Sequence, residues 1–130
     1  DFVPFMFKRL MKSFPHSEVP KQLFGLLHHI EMSGKKPMSY YSEKMMIPKS
    51  NLTVMADKLI KMGFVQRDFD SIDRRIITLE ITKKGLEYSD GYKKMVKKHM
   101  TEKLEPLSNE DAEKMNELLE ELRTIFNKLE

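Results

Sequence analysis

Lys49-Ser50-Asn51-Leu52-Thr53-Val54-Met55-Ala56-Asp57-Lys58-Leu59-Ile60-Lys61-Met62-Gly63-Phe64-Val65-Gln66-Arg67 changes its hydrophobic period partway along, and that change decides the fold. Up to Met62 the apolar residues Leu52, Met55, Ala56 and Leu59 recur at helical spacing. Ser50, Asn51, Thr53, Val54, Asp57 and Lys58 fall largely on the other side. Gly63 stops the helix, and residues 64–67 read as a strand. Residues 68–75 form a polar loop, and residues 76–81 form a β-branched return strand with Ile77, Leu79 and Ile81 on one side. The stretch is therefore a helix followed by a hairpin.

Working upstream, Met46-Ile47-Pro48 is a tight break. Before it, Ser39 is expected to cap a short helix through about Met45, with Glu43 available to its first turn. Ser33-Gly34-Lys35-Lys36-Pro37 ends an earlier helix that Pro20 opens and that carries Leu23, Leu26, Leu27 and Ile30. Gly34 is expected as a left-handed cap. Further up, Phe2, Phe5, Met6, Leu10, Met11 and Phe14 suit the apolar stripe of a first helix. Downstream, Thr82 caps a long helix running towards Lys103, striped by Tyr92, Val96, Met100 and Leu104. Ser108 caps the last helix, with Asp111 at its third position. There Met115, Leu118, Leu119, Leu122, Ile125, Phe126 and Leu129 recur at heptad-like spacing. One end helix needs less apolar surface than this, so the face reads as a subunit interface.

The chain has 130 residues, enough for one domain with a core of its own. There are no cysteines, which removes disulfides and thiolate metal sites and fits a reducing cytoplasm. No apolar run is long enough for a membrane span and no basic-then-apolar leader opens the chain, so neither membrane nor secretion is expected. The formal net charge of +3 conceals a segregation. Residues 35–98 carry 15 basic and 8 acidic groups, whereas residues 99–130 carry 4 and 9. A basic middle attracts phosphate through its local density. Lys93, Lys94, Lys97 and Lys98 serve equally as a solvated helix face or as DNA contacts.

A short helix, a tight turn, a second helix and a hairpin with a charged tip follow one another in the order of a winged helix-turn-helix. The expected class is mainly α (α+β), with a two-stranded wing flanked by N- and C-terminal dimerisation helices. On this reading residues 35–98 form the DNA-binding lobe, and residues 1–34 and 99–130 dimerise. The second helix suits a major groove, where Asn51 can pair bidentately with adenine and the Val54 methyls suit a thymine methyl. Ser50 and Thr53 can bond bases or phosphates. Lys49 and Lys58 would neutralise phosphates, Arg67 joins that surface, and Ser39 could bring a helix amide end to the backbone. An arginine at a hairpin tip can enter a narrow minor groove.

Residues 49–67, followed by Asp73-Arg74-Arg75 and then Leu79-Glu80-Ile81-Thr82-Lys83-Lys84-Gly85, resemble the recognition helix, the Asp-Arg-Arg wing and the Leu-Thr-x-x-Gly helix entry of the MarR family. The resemblance implies a homodimer joined by its first and last helices, with Phe2 in that interface, on a pseudo-palindromic operator. It also implies that Asp73 and one adjacent arginine lock the wing while the other reaches DNA. Arg74 is assigned to the groove and Arg75 to an aspartate. Pro48 departs from the serine or threonine cap commoner in the family.

Eleven methionines suit core filling, or an adaptable pocket for a small apolar or aromatic effector. Phe5, Met6, Arg9, Met32 and Tyr92 are the residues guessed to line it. His16, His28, His29 and His99 read as structural or surface histidines, so no metal and no cofactor is expected. Alternatives are a winged helix used as a protein-interaction module and a zinc-responsive regulator of the same fold. No nucleophile, phosphate loop or carboxylate pair supports an enzyme.

Overall fold

Prolines decide where three of the helices begin. Pro20, Pro37 and Pro48 precede helices at φ −52°, −58° and −55° with extended ψ of 144°, 151° and 143°, and none of these starts has a side-chain cap. The fixed φ of proline already suits the entry, and its carbonyl takes a first helical amide. Phe24 N donates to Pro20 O and Leu52 N to Pro48 O, both at 3.0 Å. A computed structural model of the chain describes residues 17–129 together with residues 4, 5, 8, 9 and 12, which are helical.

Among the described residues five helices and three strands are ordered as α1 (Lys21–Ser33), β1 (Lys36–Pro37), α2 (Met38–Lys44), α3 (Lys49–Lys61), β2 (Val65–Phe69), β3 (Ile77–Ile81), α4 (Lys83–Leu104) and α5 (Asn109–Phe126). The chain divides into two compact units, Asp1–Met95 and Val96–Glu130.

In the first unit the sheet order is β1-β3-β2 and both pairings are antiparallel. The expected hairpin is present, with Val65 opposite Ile81 and Phe69 opposite Ile77. A third strand joins it. Lys36 and Pro37 pair with Leu79 and Thr78, where the sequence reading had only a helix terminator. Gly34 is the cause. Its φ of 75° is positive as expected, but its ψ of −159° sends the chain out extended instead of closing a left-handed cap.

The same strand overturns the expected capping by Ser39. Pro37 passes directly from β1 into α2, so Ser39 lies inside the first turn and caps nothing. With β1 on its other side β3 becomes central, and Thr78 is buried beside Leu79. The core gathers Leu23, Leu26, Leu27 and Ile30 of α1, Leu52, Ala56 and Leu59 of α3, and Leu79, as the periodicity requires. Tyr41 is fully buried with them. Its hydroxyl donates to Gly34 O, and burial pushes its pKa up to about 12.

A cluster of contacts ties the end of α3 to the start of α4. Thr82 N donates to Phe64 O (3.0 Å), and Thr82 Oγ1 donates to Gly63 O (2.6 Å) while accepting from Gly85 N (3.0 Å). Thr82 thus caps α4 as expected and grips the wing as well. Gly63 turns at φ 79°, and a Cβ on Gly85 would lie 2.2 Å from Phe64 O. Phe64 stacks on Tyr88 (4.7 Å between centroids), and Phe24 lies 4.2 Å from Tyr92.

In the second unit α5 is capped by Ser108 Oγ, which accepts from Asp111 N at 3.1 Å. Leu118, Leu119, Leu122, Ile125, Phe126 and Leu129 are all exposed.

Two stability tests follow from this geometry, each at fixed protein concentration. Gly85→Ala must displace the Phe64 carbonyl and should lower unfolding free energy by about 1–3 kcal/mol in denaturant titration. Met46, in the turn between α2 and α3, holds φ 52°, which an L side chain resists. Met46→Gly should raise stability by roughly 0.5–1 kcal/mol, the relieved strain less the entropy of glycine.

Candidate nucleic-acid interface

The two faces of α3 are sharply divided. Leu52, Ala56 and Leu59 are buried in the core, while Lys49, Ser50, Asn51, Thr53, Val54 and Lys58 are exposed. Thr53 Oγ1 donates to Lys49 O within the helix at 2.9 Å, which leaves this hydroxyl as an acceptor for an incoming donor. At the helix start Pro48 offers no amide and no cap, as its identity requires. Ser39 of α2, Lys49 and Thr53 of α3, and Arg75 and Ile77 near the wing tip line an open groove of about 270 Å³.

The wing tip is held by two carboxylates. Asp70 N donates to Ile76 O (2.9 Å) and Ile76 N to Asp73 O (3.0 Å), while Asp70 Oδ2 accepts from Ile72 N and Asp73 N (both 3.0 Å). Asp73 Oδ1 accepts from Arg75 N and Nε, and Oδ2 accepts from Arg75 Nη2, all at 3.0 Å. That two-pronged contact holds the Asp73 carboxyl below the usual carboxylate range and raises the guanidinium. Arg75 therefore has the aspartate partner expected of it. Arg74 is exposed and makes no hydrogen bond or ion pair among the described residues.

Arg67 was expected to face DNA, and the structure gives it an internal partner. Its guanidinium bonds Asp57 Oδ1, joining β2 to the flank of α3. The sequence offers no signal for this pair, whose members are ten positions apart on different elements. A second pair unseen in the sequence joins Lys35 to Asp68 at 2.7 Å, which lowers the carboxyl pKa and raises that of the ammonium. Asp70 was also missed, although an aspartate two residues before an exposed loop residue is an Asx-turn signal.

Of the residues guessed for an effector pocket, Phe5, Arg9, Met32 and Tyr92 are described. Phe5 and Met32 are exposed, at 60% and 69%, and Arg9 is exposed too. Tyr92 instead lines an open groove of about 350 Å³ with Ser17, Glu18, Glu87, Tyr88 and Met95. Phe2, Met6 and His16 lie outside the described residues. No helix of the described residues is long and apolar enough to cross a membrane.

Comparison with known proteins bears on this geometry. The model of the MarR family matches residues 21–77, which run from α1 through the wing. The HTH-type transcriptional repressor MdtR of Bacillus subtilis (strain 168) is 35% identical over 66 residues. The match takes in 51% of this chain and 42% of MdtR, so the chain spans less than half the length of that relative. Among solved structures, YusO protein from Bacillus subtilis superposes with a TM-score of 0.80 at 24% identity, covering 95% of this chain and 90% of that one. The transcriptional regulator BldR from Sulfolobus solfataricus is 30% identical with a TM-score of 0.59, covering 82% of this chain and 72% of its own. On the family match through helix, turn, helix and wing, and on the likeness to BldR, the chain belongs to the MarR family.

Proposed function

We propose that the protein is a sequence-specific regulator of transcription that binds double-stranded DNA as a homodimer in the cytoplasm. The observation that carries this reading is the outer row of α3. Ser50, Asn51, Val54 and Lys58 face solvent beside a pinned wing whose exposed Arg74 makes no hydrogen bond or ion pair among the described residues. Asn51 and Val54 read base edges in the major groove, with Ser50 and Thr53 bonding bases or phosphates. Lys49 and Lys58 neutralise phosphates, Ser39 approaches the backbone, and Arg74 enters the minor groove. Asp73 and Arg75 fix the wing, and Arg67 positions β2 through Asp57 instead of touching DNA.

The exposed apolar row of α5, with Phe2 and the N-terminal residues ahead of α1, forms the dimer interface; of the residues 1–34 and 99–130 expected to flank a DNA-binding lobe at 35–98, those of α1 pack into the core of that lobe. Two copies so joined place their α3 helices on half-sites of a pseudo-palindromic operator about 34 Å apart. A small apolar or aromatic effector that prefers another spacing would release the operator, since a ligand shifts an equilibrium only by its differential affinity. Repression relieved by such a ligand is the regulatory mode we favour, in line with the name of MdtR.

Selection from random duplexes should return a palindrome whose half-sites are one helical turn apart, and recovery of no preferred sequence refutes the reading. On the selected duplex, Asn51→Ala should weaken binding by about 1–3 kcal/mol and relax one base position. Lys58→Ala should weaken all duplexes alike and flatten the salt slope by about one, as read by fluorescence anisotropy. Leu122→Asp should shift sedimentation from dimer to monomer, and an unchanged dimer would remove α5 from the interface.

A further inference from the structure

Ile72 sits at the wing tip with 94% of its surface exposed, more than any other large apolar side chain among the described residues. Nothing in the fold requires an isoleucine there, since it packs against no core. Its backbone is fixed all the same. Ile72 N donates to Asp70 Oδ2, and Asp73 N donates to the same oxygen. A tip held this way gives up little conformational freedom when it binds something.

The charges around it are arranged to one effect. Asp68 is paired with Lys35, Asp73 with Arg75, and the Asp70 carboxylate is turned onto two backbone amides. Arg74 is left facing outward two positions from Ile72. The tip therefore presents a cation and a branched apolar side chain together, with its carboxylates occupied. A protein partner recognised through Ile72 would need an apolar patch of a few hundred Å². The loop neighbours Ser71, Asp73 and Arg74 are polar, and the exposed Phe69 and Ile76 lie back where the loop joins the strands, so Ile72 stands among polar residues at the tip itself. A surface with phosphate rims and apolar sugar walls between them is the better match, and apolar side chains are known as wedges in the minor groove.

We propose that Ile72 is a DNA contact. It packs its methyl groups against the deoxyribose walls of the minor groove beside Arg74, adds affinity independent of salt, and favours sequences whose steps open easily. This rests on the DNA-binding reading above.

The test uses the full chain and a short duplex that the wild-type protein has selected from a random pool. Binding is followed by fluorescence anisotropy across a range of salt concentrations. Ile72→Ser should bind about tenfold more weakly at every salt concentration, the loss of one buried side chain of this size. Its slope of log Kd against log salt should stay that of the wild type, because no ion pair is lost. Ile72→Thr, which keeps the branched shape, should lose less. Arg74→Ala should weaken binding and also flatten the slope by about one. Melting temperatures of the Ile72 variants should match the wild type, since the side chain supports no core. Unchanged affinity in Ile72→Ser, or a loss accompanied by a flatter slope, overturns the role of Ile72 while leaving the DNA-binding reading intact. A wild-type chain that selects no duplex overturns that reading itself, before any variant is made.

Discussion

The lobe depends on how closely the backbone of α4 approaches the start of the wing. A Cβ on Gly85 would lie 2.2 Å from the Phe64 carbonyl oxygen and 2.8 Å from Ile81, a space no side chain can share. Through that gap Thr82 reaches both ways, donating to Gly63 O and taking the amide of Gly85. Lys84 closes the same corner by donating to Met62 O at 3.0 Å. The C-terminus of α3, the first residue of the wing and the N-terminus of α4 are thereby fixed at one point. The helix and the first strand of the wing are thus joined at one corner, the kind of rigid support that the proposed two-groove reading calls for.

Around that point the polar contacts fall into a consistent scheme. Arg67 and Asp57 tie β2 to α3, Lys35 and Asp68 tie the residue just ahead of β1 to β2, and Arg75 and Asp73 tie the tip to itself. All three pairs are substantially exposed, so each adds little to stability. Their value lies in direction. They hold side chains of both signs in set places and leave Arg74 and Lys58 outward. On α1, Glu31 accepts from buried Ser89 (2.6 Å) and from Lys93 (2.8 Å), which docks the first part of α4 by the same device. Lys93 is thereby paired with α1.

Much of this was legible in the sequence because it rests on local signals. Helical spacing of Leu52, Ala56 and Leu59, the alternation through Ile81, and Thr82 and Ser108 as caps are each set within a few residues. What escaped notice depends on distant partners. Lys36 and Pro37 become a strand only because Leu79 and Thr78 come to lie beside them. Ser39 loses its capping position for the same reason. Arg67 resembles any other exposed cation until Asp57 is brought against it, and Tyr41 enters the core because Gly34 O offers its hydroxyl a partner. Tyr92 could be named as a groove residue, but of the companions guessed for it Phe5, Arg9 and Met32 are exposed and do not line that groove. The guess used residue type alone, and type does not specify which faces meet.

The outer row of α3 has a consequence for how such proteins diversify. Among the described residues, Ser50, Asn51, Val54 and Lys58 make no side-chain hydrogen bond or ion pair, and Thr53 bonds only its own helix. Exposed substitutions of this kind usually change stability by less than about 0.5 kcal/mol. The fold's requirements are met on the opposite side of the same helix and at the Gly85 corner. On the proposed DNA-binding reading, a descendant could therefore acquire a new target sequence by successive single changes in this row, each intermediate still folded, without renegotiating any part of the scaffold.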